Sequence, residues 1–471
     1  MSIQLKCFAL QKKPSVSDNL EYFKTTLSSS AFMIDVSKTF KNTSTKVLDF
    51  LVDSMFEFVD QSLLPSQSNF GPVDELGGEV VSPAASEGKS QMIFQRVSTS
   101  SHIWIEGEGM LHALYFSKDV SDGSWTVRYN NRHVETETFK LEKQRNKPSF
   151  LPAIGGDSLA ILSAYLLNLL RFGKVNKYLS NTNVFEHSGK FYSIAENHIP
   201  QEIDIITLET LGNWDVSRAW NRPFTSHPKR APGTGELVIL GIDAVKPFME
   251  IGVVSADGKE LIYKVDLKLD RCSLCHELGV TQRRFKPADP SKENNNDDIS
   301  AEDGKLFSHA YEWRLNMNTG KVRERYLTGK EFSKDFPMIN GAFSGVKNRY
   351  GYTQVVDSIA SSTSGMLKYG GLAKLHFEEP ADVSSRNESQ LEVESHMFEE
   401  KSFCSGAAFV PKQGGLEEDD GWAITFVHNE DTNISQVYVI DTKKFSDEPV
   451  AKITLPCRVP YGFHGAFMPM S

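Results

Sequence analysis

The stretch Asn183–Glu196, "NVFEHSGKFYSIAE", decides how the rest of the chain reads. Two runs rich in Val, Phe, Tyr and Ile flank Ser188-Gly189, a pair that accepts the positive φ of a tight hairpin turn, so the stretch predicts two antiparallel strands. Asp257-Gly258 repeats the device inside "FMEIGVVSADGKELIYKVDL". Further short β-rich runs recur between turn residues: "HALYF", "WTVRYN", "ELVILGID", "WAITFVHNEDTNISQVYVIDT" and "VAKITLP". Many short strands with few long helices predict an all-β sandwich, barrel or propeller, and a length of 471 residues favours the propeller. No WD or kelch repeat is visible.

Outside these runs the texture changes. Apolar residues at helical spacing predict an amphipathic helix over residues 45–64, ahead of a β domain over 65–471. Leu159–Phe172, "LAILSAYLLNLLRF", predicts a second helix near 157–172 with Arg171, Lys174 and Lys177 at its end. It reads as a buried helix or as one lying in a membrane interface, and it is shorter than the roughly 18 apolar residues a span needs. Residues 287–305, "PADPSKENNNDDISAEDGK", are acidic and aperiodic, and read as a solvated surface loop. Residues 1–44 form an N-terminal extension, flexible or weakly transit-peptide-like, with Lys6, Lys12 and Lys13 and no acid before Asp18.

A net charge of −10 leaves no basic surplus for a phosphate backbone, which argues against nucleic acid as a partner. The five cysteines, Cys7, Cys272, Cys275, Cys404 and Cys457, are too sparse for a disulfide framework and suit a reducing compartment. No G-x-S-x-G elbow, phosphate-binding loop or strand-led G-x-G-x-x-G is present. Arg271–Lys286, "RCSLCHELGVTQRRFK", spells Cys-x-x-Cys-His, which is compatible with a haem attachment site, half a zinc site or a redox dithiol. Histidine carries the remaining chemistry: His112, His198, His227, His276, His309 and His464 stand in marked settings. Distant histidines converge on a propeller axis only if each sits at the innermost strand of its blade.

"GEGMLHALYF", "HPKRAPGTGEL", "CHELGVTQ", "EWRLNMNTGKVRERYL", "DFPMINGAFSGVKNRYGYT", "FVPKQGGLEEDDGW" and the terminal "FHGAF" resemble, in order, the signature blocks of the carotenoid cleavage dioxygenase family. "LPSQSNFGPVDELGGEVV" and "FCSGAAFVPK" are similar to the class-four plant subgroup. The resemblance implies a seven-bladed β-propeller with a helical cap. It implies an axial non-haem Fe(II) held by four histidines, and scission of a polyene double bond of a carotenoid or apocarotenoid by O2 into two carbonyl products. It also implies residence in a plastid, in the stroma or at a plastoglobule, with peripheral attachment to lipid.

Carried over by position, the resemblance makes His227, His276 and His464 metal ligands. Neutral imidazoles suit Fe(II), and carboxylates behind them accept their second ring N–H. The carboxylate positions fall on Glu196 and Asp335, and a third falls on Gly406, which has no side chain to accept. The family block that carries the remaining ligand has no counterpart, because Gln282 runs directly into Arg283-Arg284-Phe285-Lys286. His309 sits in the lead-in to "EWRLNMNTG", where the family has no ligand. Ser82–Trp104 also departs from the family pattern. The expectation is a propeller made incomplete by the loss of one to two blades' worth of sequence, with an opened ring and exposed sheet edges. Three readings follow: an active dioxygenase, an inactive carotenoid-binding relative, and a truncated splice product. With Cys272, Cys275 and His276 expected on an inner strand in a reducing compartment, the two thiols face opposite ways and haem is not served, and zinc fails because no second Cys pair follows.

Overall fold

The computed structural model describes residues 2–6, 38–55, 65–71, 73–81, 90–97, 107–119, 121–151, 158–243, 246–272, 275–281, 308, 310–315, 321–328, 333–377, 391–462 and 464–468. The break at Gln282-Arg283, the polar loop 287–305, His309 and Cys7 lie outside the described residues, as does most of the N-terminal extension.

The expected hairpin is present. Asn183–His187 pairs antiparallel with Lys190–Ile194, and His187 faces Lys190 across Ser188 and Gly189, at φ 56° and 74°. Both turn residues are left-handed, which matches the twist of the flanking strands. Gln201–Ile203 and Thr210–Asn213 extend the hairpin into a four-stranded meander. A second meander runs Lys229–Arg230, Leu237–Ile242, Met249–Val254, Leu261–Asp266, with Gly258 at φ 72° in its last turn.

Two more meanders, Lys334–Met338 to Glu392–Met397 and Ser402–Pro411 to Ala451–Thr454, join in one sheet through a single residue pair, Tyr369 with Cys404. The fourth large sheet joins the two ends of the β region. Its order is Leu76–Val81, Trp125–His133, Gly109–Lys118, Ser90–Val97, Gly465–Met468, so the last described strand closes onto an early one. Two-stranded ladders are formed by Ser2–Lys6 with Glu277–Thr281 and by Tyr311–Leu315 with Val322–Tyr326.

Alternating apolar faces pack these sheets against each other in chain order. Leu240 and Met249 pack on Cys275 and Leu278; Phe185 and Tyr192 pack on Trp220 and Val254; Leu111 and Ala113 pack on Val184 and Ile203. Leu114 and Tyr129 then meet Phe426 and Val439, and Leu372 and Tyr352 meet Phe409 and Ile440. Among the described residues no such cluster joins the sheet of Lys334–Met338 to the strand Glu277–Thr281.

Four expectations change. Helix α1 spans Lys38–Met55, so it starts earlier than residue 45, and residues 56–64 lie outside the description. Ser82–Trp104, read as a loss, contributes the full strand Ser90–Val97 to the closing sheet. Cys272, Cys275 and His276 precede the strand, which begins at Glu277, and do not lie on it. Ser2–Lys6, placed in an extension, pairs instead along that strand, where backbone donors and acceptors would otherwise be left at an edge.

Helix α2 (Glu137–Arg145) is capped by Thr136, whose hydroxyl accepts the Phe139 N–H at 3.1 Å, and it ends on Asn146 at φ 53°. Helix α3 (Ser158–Phe172) packs against α1, with Val52, Leu151 and Ala164 buried between them. Ion pairs fasten the group: Arg171 reaches Asp49 at 2.8 Å and Asp53 at 3.2 Å, and Arg145 reaches Asp49 at 2.7 Å. Phe50, Leu51 and Met55 on α1 and Leu159 and Leu170 on α3 face outward. No helix among the described residues is long and apolar enough to cross a membrane.

Candidate metal centre

Three edge strands bring three histidines together. His227 stands two residues before Lys229–Arg230, His276 one residue before Glu277–Thr281, and His464 one residue before Gly465–Met468. One nitrogen from each lies within 4.8 Å of the others. His227 Nε2 is 3.1 Å from His276 Nε2, and the His227 and His464 rings stand edge-on with centroids 4.6 Å apart.

Electrostatics keeps these rings suited to a cation. Burial, and then the neighbouring imidazole His276, holds the pKa of His227 well below its ordinary value. Burial and then His227 do the same to His464, so both rings present neutral lone pairs. For His276 burial works against the proton, but the Glu196 carboxylate outweighs it and the pKa is raised. His276 Nδ1 lies 2.5 Å from Glu196 Oε1, which leaves Nε2 turned toward His227. His464 Nε2 is buried without a hydrogen-bond partner among the described residues. A metal ion removes that cost, since a buried polar atom without a partner is unfavourable by roughly 1–3 kcal/mol. The three-nitrogen donor set therefore fits a first-row divalent metal.

Asp335 lies in the strand Lys334–Met338, where its carboxylate accepts the Phe336 N–H at 2.8 Å and the Ser308 hydroxyl at 3.4 Å. Gly406 stands at a register shift between Ser405 and Ala407, at φ 69°, and its carbonyl accepts the Thr425 hydroxyl. That left-handed bulge favours glycine over any carboxylate residue. Other histidines marked in the sequence serve packing: His112 Nδ1 is 2.6 Å from the Tyr129 hydroxyl, and His198 stacks on Tyr178 at 3.9 Å. Two residues near the cluster escaped the sequence reading. Phe336 stands edge-on to His464 at 4.7 Å, and Glu277 Oε2 lies 3.7 Å from His227 Nδ1. Glu277 directly follows an expected ligand, and that adjacency was the signal for it.

A family model described as retinal pigment epithelial membrane protein, RPE65, matches residues 88–285 and 282–469. The chain belongs to this family, the carotenoid oxygenases. Among its relatives, the carotenoid 9,10(9',10')-cleavage dioxygenase 1 of Phaseolus vulgaris is 27% identical, over 90% of this chain and 93% of that one. The protein of that name in Arabidopsis thaliana is 28% identical, over 91% and 94%. The probable carotenoid cleavage dioxygenase 4, chloroplastic, of Arabidopsis thaliana is 25% identical, over 77% and 72%. Two solved structures share the fold. The lignostilbene dioxygenase of Pseudomonas brassicacearum matches at TM-score 0.66 and 17% identity, covering 88% of this chain and 100% of that one. Cobalt-substituted Synechocystis apocarotenoid oxygenase matches at 0.65 and 15%, covering 87% and 100%.

Proposed function

We propose that this carotenoid oxygenase is a non-haem Fe(II) dioxygenase that cleaves one polyene double bond of a carotenoid or apocarotenoid. One C=C and one O2 are consumed, and two C=O groups form as aldehyde or ketone apocarotenoids. The observation that carries the reading is the convergence of His227, His276 and His464, next to strands far apart in sequence, with one nitrogen of each within 4.8 Å of the others. The names of the relatives supply the substrate class.

Fe(II), when bound, supplies the redox chemistry that couples O2 to bond scission, and a three-nitrogen set leaves coordination positions open for it. The chain's own residues hold and shield the site. Glu196 keeps the His276 ring turned so that Nε2 faces the cluster, and Phe336 walls His464 with an apolar edge. Asp335, in the strand Lys334–Met338, contributes negative potential at His276.

The same reading gives the architecture as a seven-bladed propeller with α3 in its helical cap, interrupted after Gln282. Support comes from the serial face-to-face packing of the sheets and from a family match in two pieces that meet at residues 282–285. The alignment to the Phaseolus relative spans 523 positions, more than the 471 residues of this chain, so that relative carries residues without a counterpart here. Placement in the class-four plant subgroup rests on the blocks 64–81 and 403–412. Plastid residence rests on the chloroplastic relatives and the lysine-rich N-terminus. The outward apolar residues of α1 and α3 form the face proposed to rest on lipid.

The test is purified protein assayed for iron and, under air, for aldehydes from a carotenoid. Stoichiometric iron with cleavage sustains the reading. Bound pigment without iron or products replaces it with an inactive carotenoid-binding relative, and aggregation replaces it with a truncated splice product. Sequencing the transcript across the codons for Gln282 and Arg283 decides whether the interruption belongs to the expressed chain.

A further inference from the structure

The geometry points to Glu277 as a positioning residue for His227, the ring that no carboxylate in the sequence-derived set serves. The inference rests on the three-histidine metal reading. A metal-bound imidazole gains basicity and a fixed orientation when its other ring N–H is donated to an acceptor. His276 has such an acceptor in Glu196, 2.5 Å from Nδ1. With Nε2 turned to the cluster, His227 Nδ1 faces Glu277 Oε2 at 3.7 Å, and a small rotation of the glutamate side chain closes that gap to a hydrogen bond.

The other carboxylate oxygen is held from two sides. Lys229 Nζ approaches Oε1 at 2.7 Å and the Leu278 N–H donates to it at 3.0 Å, so Oε2 is left directed at the imidazole. Lys229 belongs to the same short strand that follows His227, and Glu277 opens the strand that follows His276. The ion pair therefore ties two of the three ligand-bearing strands together at the metal site. Lys229 offsets the charge of Glu277, so the carboxylate acts on His227 as a hydrogen-bond acceptor more than as a counter-charge.

The test is cobalt(II) titration of the metal-free protein, read by visible d–d absorption, on wild type, E277Q, E277D and K229M. E277Q is expected to weaken cobalt binding about 10–100-fold while far-UV circular dichroism stays unchanged. E277D, which keeps a carboxylate for Lys229 but draws it back from His227, is expected to lose affinity by less; it also serves if E277Q does not fold. K229M keeps the acceptor and is expected to bind as wild type does. Wild-type affinity in both glutamate variants overturns the inference. So does K229M falling as far as E277Q, because Glu277 would then only fasten two strands. A wild-type protein that takes up no cobalt overturns the metal reading itself, and this inference with it.

Discussion

At the scale of single residues, the site depends on which atom of each imidazole is left facing the cluster. Glu196 decides this for His276, so Glu196→Gln is expected to weaken divalent-metal binding about 10–100-fold, measured by calorimetric titration of the metal-free protein. Gly406 makes a different point. The resemblance marks it as a lost carboxylate, whereas its φ of 69° at a strand bulge makes it a backbone requirement. Gly406→Ala is therefore expected to cost about 1–2 kcal/mol of unfolding free energy, read from urea midpoints. His227, His276 and His464 were legible from the blocks around them. Phe336 was not, because a phenylalanine beside an aspartate is ordinary until folding brings another strand alongside it; Glu277 was marked only by its adjacency to His276, whereas the ring it faces, His227, belongs to another strand.

At the scale of elements, the hairpin at Ser188-Gly189 was legible because two residues of positive φ admit few alternatives. The bounds of α1 were not, since α1 is held by tertiary ion pairs as well as by its apolar face. Arg171, with its side chain fully buried, is the hub: it pairs with Asp49 and Asp53 and donates to the Ser149 carbonyl at 2.7 Å. Arg171→Leu removes one cation from each carboxylate, leaving Asp49 with Arg145 and Asp53 with Lys147, and frees the Ser149 carbonyl; it is expected to cost about 2–3 kcal/mol. The loss should appear first as faster amide exchange in residues 38–55.

At the scale of the molecule, stability is tied to buried neutral histidines. Burial, and then the charge of Arg458, lowers the pKa of His428 to about 4, and burial lowers that of His198 likewise to about 4. In the unfolded chain each takes a proton near its ordinary value of about 6.5. Their contribution is therefore complete above pH 6.5 and is lost as pH falls from there through about 4. For a buried ring the loss is on the order of 3 kcal/mol. Melting temperatures of wild type should fall steeply over that window, and His428→Gln should flatten the fall.

The sequence by itself determined the strand-turn rhythm, the all-β class, the three histidines and the departure from the family pattern after Gln282. The first two follow from local rules, φ preferences at turns and period-two apolar alternation; the histidines and the departure follow from the resemblance to the family's blocks. The tertiary structure decided that Ser90–Val97 and Gly465–Met468 close one sheet, and that Ser2–Lys6 pairs along Glu277–Thr281. It also decided that His227 faces Glu277. Each of these joins residues distant in sequence, and backbone pairing or a 3–4 Å side-chain approach between them is set by how whole sheets pack, which no local pattern encodes.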